Sequence, residues 1–177
     1  PTPGISVGCD DIWSAYRRIP QSQDQFSVIA YYDFDAKCTM YHVVKGHAFG
    51  LQSSVVNFNR LPHLMVELCL RLFAIPNTHF VDDYCAVDLQ VAEGSGQRMM
   101  IHAHRCVGFE FEDTKRKPAT EDSDESNTFL GVITDVSRTA DLSEISFRPT
   151  EKRKQGILHM LRRCKSENFM SSTTAQV

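Results

Sequence analysis

The chain has 177 residues, of which 42% are hydrophobic and 23% charged, and its formal net charge is −3. This balance suits one globular domain with its own core, and no apolar run approaches the roughly 18–20 residues that span a bilayer. The acidic net charge gives no overall support for nucleic-acid binding, although basic residues cluster at 115–117, 152–154 and 162–165.

The termini and the cysteines bear on where the protein works. The N-terminus carries no signal-peptide pattern, so we expect an intracellular protein, cytoplasmic or nuclear and not secreted. The chain begins at Pro1 rather than at a Met, and a motif follows within about ten residues, so we expect a fragment. Six scattered cysteines without a C-x-x-C pair favour reduced thiols over a disulfide framework or a zinc cluster.

The first part of the chain is predicted to form a strand, a hairpin and a helix. Ile5–Asp11 is typical of a short strand, and the β-rich runs 26–34 and 38–44 flank turn residues, which predicts a hairpin. From about residue 53 to 73 the apolar spacing becomes helical, with one stripe of Leu61, Leu64, Met65, Leu68 and Leu72. Pro62 lies inside this run and is expected to kink the helix or split it in two.

A second strand pair and a second helix are predicted next. The short apolar runs 78–81 and 84–87 flank Asp82 and Asp83, which predicts two strands joined by a tight acidic turn. Residues 95–107 are predicted to form a helix that ends at a glycine.

The last part of the chain is predicted to contain a loop, two strands and a helix. The acidic segment 118–127 is typical of a surface loop, and 128–135 and 144–147 are predicted strands. A final helix is expected to start at Thr150 as N-cap, with one apolar face of Ile157, Leu158 and Leu161. The whole pattern predicts an α+β fold, with helices packed on one face of a small antiparallel sheet.

Adjacent aspartates mark the candidate site. Asp82 and Asp83 stand side by side between apolar strands, where two like charges repel unless a cation relieves them. Hard oxygen ligands suit Mg²⁺. Asp10 and Asp11 end another strand, and if the two strands are neighbours, the carboxylates converge as a two-metal phosphoryl-transfer site requires. The alternative is that both pairs are exposed turn aspartates, which is the commoner situation for Asp-Asp.

Two segments around these aspartates resemble motifs of reverse transcriptases. Asp11 opens the run Asp-Ile-Trp-Ser-Ala-Tyr-Arg-Arg-Ile-Pro, which is similar to motif A of retrotransposon enzymes. Phe80-Val81-Asp82-Asp83 resembles motif C, the Tyr-x-Asp-Asp box, with Phe in place of Tyr.

Three further segments are similar to motifs of the same family and stand in the family's order. Phe49-Gly50-Leu51-Gln52-Ser53-Ser54 with Phe58 looks like motif B, Gly108 with Lys115 is similar to motif D, and Phe129-Leu130-Gly131 looks like motif E, the primer grip. The ordered set covers about residues 5–135, and the segments 53–60 and 147–149 look most like retrotransposons of the tyrosine-recombinase type.

The resemblance implies a role for each matching residue. Asp11 and Asp82 would hold Mg²⁺, with Mn²⁺ as an alternative, and Asp83 would support them. Tyr16 would be the steric gate that excludes a 2′-hydroxyl. The remaining implied roles are nucleotide-pocket lining by Phe49 and Gly50, charge stabilisation or proton donation near pyrophosphate by Lys115, primer positioning by Phe129, Leu130 and Gly131, and phosphate tracking by Lys152, Arg153 and Lys154.

Each of these residues also has an ordinary structural interpretation. Without the motifs, Tyr16 is a core aromatic, Lys115 a solvated lysine and Phe129 part of a plain core strand. Gly50 is then a loop glycine beside a core phenylalanine.

The same resemblance implies a domain plan. Residues 1–148 would be an RNA-directed DNA polymerase palm without its fingers, and 149–177 a partial thumb or connection helix. The implied partners are a primed RNA or DNA template, a deoxynucleoside triphosphate, and adjoining fingers and ribonuclease H domains, with no membrane. Motif B departs from the family pattern, since His47-Ala48 and Ser54-Val55 replace Leu-Pro and Ala-Pro. We therefore expect weak or no activity from this chain in isolation.

Two alternatives to the polymerase interpretation stay open. The chain could be an inactive relic or a co-opted nucleic-acid-binding fragment, which the missing fingers and altered motif B favour. It could also be another metal-dependent phosphotransferase, such as a nucleotide cyclase, which the Ala15-Tyr16 and Phe49-Gly50 segments argue against.

Overall fold

A computed structural model of the chain describes residues 3–22, 27–120 and 127–167. Within these ranges the protein is α+β, with four α-helices and three small antiparallel sheets, which confirms the predicted class. Across the described residues, every helix is too short or too polar to cross a bilayer. Phe26, most of the predicted loop 118–127 and the tail after residue 167 lie outside the described residues.

The central sheet has the strand order β1-β5-β4 and is antiparallel throughout. Strand β1 spans Ile5–Asp11 as predicted, β4 spans Asn77–Phe80 and β5 spans Asp83–Leu89. Phe80 pairs with Asp83, so the turn consists of Val81 and Asp82 alone. The prediction that both aspartates form the turn is therefore wrong for Asp83, which is the first residue of β5.

Helix α1 spans Gln52–Phe73 without interruption, so of the kink or split expected at Pro62 the split is wrong. Pro62 is buried, and its packing offsets the loss of the backbone hydrogen bond that a proline cannot donate. The predicted apolar stripe is also partly wrong, because Leu64 and Leu72 are exposed. The face that packs inward consists of Ser54, Phe58, Pro62, Met65 and Cys69.

Helix α2 spans Ser95–Cys106 and lies beside α1, so both helices pack on the same face of the central sheet. Its end before Gly108, which has a φ of +87°, confirms the predicted stop. Between the helices and the sheet lies the main core, with Phe58, Tyr84, Ala86, Met100 and Phe111 among its buried members. Each large side chain buried there contributes about 1.5–3 kcal/mol of hydrophobic stabilisation.

A second small sheet covers the opposite face. Its strands are β6 (Thr128–Phe129), β7 (Val132–Asp135) and β8 (Ser146–Pro149), in the order β6-β7-β8. The predicted single strand 128–135 is thus a hairpin, turned by Leu130 and Gly131, whose φ angles are +50° and +75°. A smaller apolar cluster of Val7, Cys9, Cys85 and Val136, with Phe129 packed against it, joins the two sheets.

The remaining elements are a hairpin and two helices. The predicted hairpin is confirmed as β2 (Val28–Asp33) and β3 (Cys38–Val43), and nearly all of its residues are exposed. The short helix α3 (Thr139–Leu142) precedes β8, and α4 spans Glu151–Glu167. The Thr150 hydroxyl accepts the Arg153 amide at 3.4 Å, which agrees with the predicted N-cap.

Candidate active site

The three predicted carboxylates meet at one end of the central sheet. Asp11, the last residue of β1, lies opposite Asp83 in the strand register. The Ile12 amide donates to the Asp82 carbonyl oxygen at 2.9 Å, which ties the β4–β5 turn to the end of β1. The Asp11 carbonyl accepts the Glu112 amide at 2.8 Å on its other side, so Asp11 and Asp83 form a non-hydrogen-bonded pair. Side chains approach most closely at such pairs.

The electrostatics of this edge are unfavourable to ionised carboxyls. Burial raises the pKa of Asp82, and the negative charge of Asp11 raises it further. Burial likewise raises the pKa of Asp83, with added repulsion from Asp11 and Asp82. The positive charge of Lys115 opposes both shifts but does not reverse them. A cation bound at this edge would relieve the repulsion.

Lys115 is the cation in direct contact with the site. Its Nζ atom lies 3.1 Å from Asp11 Oδ2 and 3.2 Å from Glu112 Oε2. These hydrogen bonds raise the pKa of the Lys115 ammonium, which keeps it charged at neutral pH. Sequence reasoning missed Glu112, although its position three residues before Lys115 is the usual spacing of such a pair.

A cleft of about 680 Å³ opens on one side of the carboxylates. Asp11, Asp82, Lys115, Tyr16 and Phe49 line it together, with residues of the β2–β3 hairpin on the facing wall. The Tyr16 ring packs between Phe49 and Phe58, with centroid distances of 5.6 and 5.1 Å, which fixes its position in the cleft.

Gly50 stands apart from this cleft. It is not among the lining residues, and a Cβ atom placed on it would meet nothing within 4 Å. Its φ of +88° gives the backbone reason for a glycine.

A groove of about 360 Å³ opens on the other side of the carboxylates. Asp11 and Lys115 line it as well, together with Asp83, Phe129 and Leu130. Gly131 lies outside the groove, beneath the side chain of Arg153 on α4. The two cavities therefore share one wall, made of Asp11 and Lys115.

The side chain of Asp10 lies apart from the other carboxylates, although Asp10 is among the residues that border the groove. The alternation of β1 turns it to the helix face, where its side chain is fully buried and accepts hydrogen bonds from Arg116 Nε at 2.9 Å and Gln97 Nε2 at 2.7 Å. Burial raises the pKa of Asp10 in spite of these partners. Asp10 is a structural carboxylate, and the two-residue period of a strand is the signal that separates it from Asp11.

Sequence reasoning also missed the basic residues that line the 680 Å³ cleft. Arg17 and Lys45 line it together with Lys115. Lys45 follows β3, so only the folded hairpin brings it near Tyr16. A more open cavity of about 740 Å³ between the hairpin base and α1 is lined by Pro20, Asn57 and Arg60 among others, and it contains none of the carboxylates.

The atoms that could bind a metal ion at this edge are carboxylate oxygens, which suit Mg²⁺ or Mn²⁺. Among the described residues, no three His, Cys, Asp or Glu side chains are arranged closely enough to enclose a metal ion. Asp11 is instead paired with Lys115. The site therefore offers clustered carboxylates rather than a closed set of ligands.

Comparison with known proteins adds no assignment. Neither a protein-family model nor a curated protein matches the chain.

Proposed function

We propose that this chain is the palm of an RNA-directed DNA polymerase, which transfers a nucleotide from a deoxynucleoside triphosphate to the 3′-hydroxyl of a primer. The observation that carries the proposal is the wall between the cleft and the groove. Asp11 borders both cavities, Asp82 borders the 680 Å³ cleft and Asp83 borders the groove. Nucleotidyl transfer needs carboxylates at the boundary between two substrates.

Asp11 and Asp82 would hold Mg²⁺, or Mn²⁺ as the alternative, and Asp83 would support them. Burial, and after it repulsion from Asp11, raises the pKa of Asp82 and Asp83, and a bound cation would offset both effects, which supports this assignment. When bound, the metal would activate the attacking oxygen and neutralise charge on the phosphates.

The cleft lined by Tyr16 suits the incoming nucleotide. Tyr16 is braced by two aromatic rings and would lie beneath the sugar, leaving no space for a 2′-hydroxyl. Arg17, Lys45 and Lys115 supply positive charge for the triphosphate and the departing pyrophosphate. Phe49 would border the same nucleotide.

The groove suits the end of the primer. Phe129 and Leu130 line it beside Asp83, and Leu130 opens the turn that joins β6 to β7. The first turn of α4 carries Lys152, Arg153 and Lys154, which would follow the phosphates of a primed RNA or DNA template. Adjoining fingers and ribonuclease H domains belong to the same proposal.

Metal binding tests the carboxylates directly. We expect the chain to bind Mn²⁺, which is measured as the loss of the electron paramagnetic resonance signal of the free ion. Asp82→Asn should weaken this binding about tenfold or more. Asp35→Asn, at the tip of the exposed hairpin, is the matched control and should bind like the parent. Equal affinity for the parent and Asp82→Asn would contradict the metal assignment.

Primer extension tests the reaction. Joined to the fingers of a related polymerase, the chain should extend a DNA primer on an RNA template, and Asp82→Asn should abolish extension. Tyr16→Val should admit ribonucleotides while retaining deoxynucleotide incorporation. Normal extension by Asp82→Asn would refute the proposed function, whereas turnover of a nucleoside triphosphate without a template would favour a cyclase.

A further inference from the structure

Two cysteines face each other across the central strands, one step inside the carboxylate edge. Cys9 of β1 is the register partner of Cys85 of β5. Both thiols are free in the structure. They lie on the same face as Asp11 and Asp83, because side chains two residues apart share a face of a strand.

The hydrogen bonding of β1 places this pair at bridging distance. The Cys9 amide donates to the Lys117 carbonyl and the Cys9 carbonyl accepts the Lys117 amide, both at 2.9 Å. The backbone of Cys9 is thus directed away from β5, which makes Cys9 and Cys85 a non-hydrogen-bonded pair. The Cα atoms of such pairs are about 4.5 Å apart, and disulfides span Cα separations of about 4.4–6.8 Å.

The pair is covered but reachable. Cys9 is 7% exposed and lines the groove beside Lys117 and Phe129, whereas Cys85 is 9% exposed and is not among the lining residues. A small oxidant entering the groove therefore reaches Cys9, and Cys85 lies beside it on the neighbouring strand. The remaining buried thiol, Cys69, is fully enclosed between α1 and the sheet.

We propose that Cys9 and Cys85 are a modification site, a dithiol that a small peroxide converts to a cross-strand disulfide. The Cys9 sulfur attacks hydrogen peroxide, the O–O bond breaks, and the product is a sulfenic acid and one water. The Cys85 sulfur then displaces hydroxide from the sulfenic sulfur, the S–O bond breaks, and a second water forms with the Cys85 proton. Two thiols lose two electrons and two protons to the peroxide. This site does not depend on the proposed polymerase function.

The experiment uses the whole chain with its three more accessible cysteines replaced by serine, namely Cys38, Cys106 and Cys164. After dilute hydrogen peroxide, the protein is unfolded, its free thiols are alkylated, and it is digested and mapped by mass spectrometry. We expect the loss of two hydrogen atoms, one remaining alkylated thiol at Cys69, and a linked peptide pair containing Cys9 and Cys85. A thiol reductant should restore both free thiols.

Folding itself supplies the matched control. Three thiols allow three pairings, so the same chain oxidised in urea should give a mixture, while the folded chain gives one. Cys85→Ala should leave Cys9 as a sulfenic acid that a cyclic diketone captures, and the linked peptide should disappear.

Two results would overturn the proposal, and both are read from the chain that retains Cys9 and Cys85. One is full alkylation of both residues after a peroxide dose that oxidises a free thiol. The other is further oxidation of Cys9 to a sulfinic acid without a link to Cys85.

Discussion

The strand pair β1–β5 and the hairpin β2–β3 are both regular antiparallel ladders, with seven and six paired residues. Their surroundings differ. The five central residues of β1 are buried between the helices and the second sheet, whereas nearly every residue of β2 and β3 is exposed. Regular pairing and apolar side chains are therefore common to both regions, and only the packing layers on either side distinguish the sheet that carries the carboxylates.

The hairpin depends on local interactions instead. The Asp33 carboxylate accepts the amides of Asp35 and Ala36 at 2.9 and 3.0 Å, which closes the turn. A two-stranded ribbon with no covering layer is marginally stable. We expect it to open at a lower free energy than the central sheet, and four measurements test this contrast.

The largest effect is expected from truncating the tyrosines of the two regions. Tyr84 on β5 is fully buried and contacts His104 and Phe111, so Tyr84→Ala should cost about 3–5 kcal/mol of unfolding free energy. Tyr41 on β3 is 72% exposed, and Tyr41→Ala should change stability by less than about 0.5 kcal/mol. Urea denaturation of both variants measures the difference, and equal losses would place the hairpin in the cooperative core.

The next effect concerns the buried carboxylate. Asp10→Ala removes one partner each from Arg116 and Gln97 and should cost about 2–3 kcal/mol, less than a fully buried pair because Arg116 is partly exposed and keeps its ion pair with Asp113. Asp35→Ala on the hairpin should cost less than about 0.5 kcal/mol. If Asp10→Ala unfolds at the same urea concentration as the parent, the Asp10 contacts contribute nothing net to stability.

A pH-dependent effect is expected from His104, whose burial lowers its pKa to about 4 from 6.5. Between these values the unfolded chain takes up a proton that the folded chain resists. His104 therefore leaves the free energy of unfolding nearly unchanged above pH 6.5, and by pH 5 it lowers the free energy of unfolding by about 2 kcal/mol.

His104→Phe should abolish that part of the pH dependence, measured as unfolding free energy at pH 7 and pH 5. His42→Gln on the exposed hairpin is the control and should keep the parent's pH dependence. A His104→Phe variant that loses as much stability on acidification as the parent would contradict the assignment.

The smallest effect is expected at the hairpin turn. Lys37 has a φ of +52°, a conformation that costs most L-residues about 1 kcal/mol, so Lys37→Gly should relieve strain. Amide exchange within β2 and β3 should slow by a few-fold, while exchange in β1 and β5 stays unchanged. Equal slowing in both strand pairs would mean that the hairpin does not open separately.

The sequence predicted those parts of the fold that depend on local period and turn chemistry. Strand β1, the β2–β3 hairpin, helix α2 and the N-cap of α4 follow from alternation, turn residues, a terminal glycine and a threonine. The inward face of α1 was not predictable in the same way, because leucines lie on more than one side of it. Neither was the turn at Leu130, because positive φ is rare for leucine.

The candidate site likewise has features that a local sequence pattern predicts and features that depend on the tertiary fold. The position of Asp11 opposite Asp83, next to the turn with Asp82, was predictable once β1 and β5 were taken as neighbours. Strand alternation separates Asp10 from Asp11, but which of the two is buried depends on the face that the helices cover. Glu112 could have been found from its spacing to Lys115, whereas Lys45 is brought to the site only by the folded hairpin, so no local pattern indicates its presence there.

The contacts between α4 and the β6–β7 turn have a mechanical consequence. The Thr150 amide donates to the Gly131 carbonyl at 3.1 Å, and the Arg153 guanidinium donates to the Leu130 carbonyl. Helix α4 has 17 residues and is therefore about 25 Å long. Both contacts lie at the N-terminal end of the helix, so a tilt of about 10° about that end would displace the far end by roughly 4 Å and the Leu130 carbonyl much less.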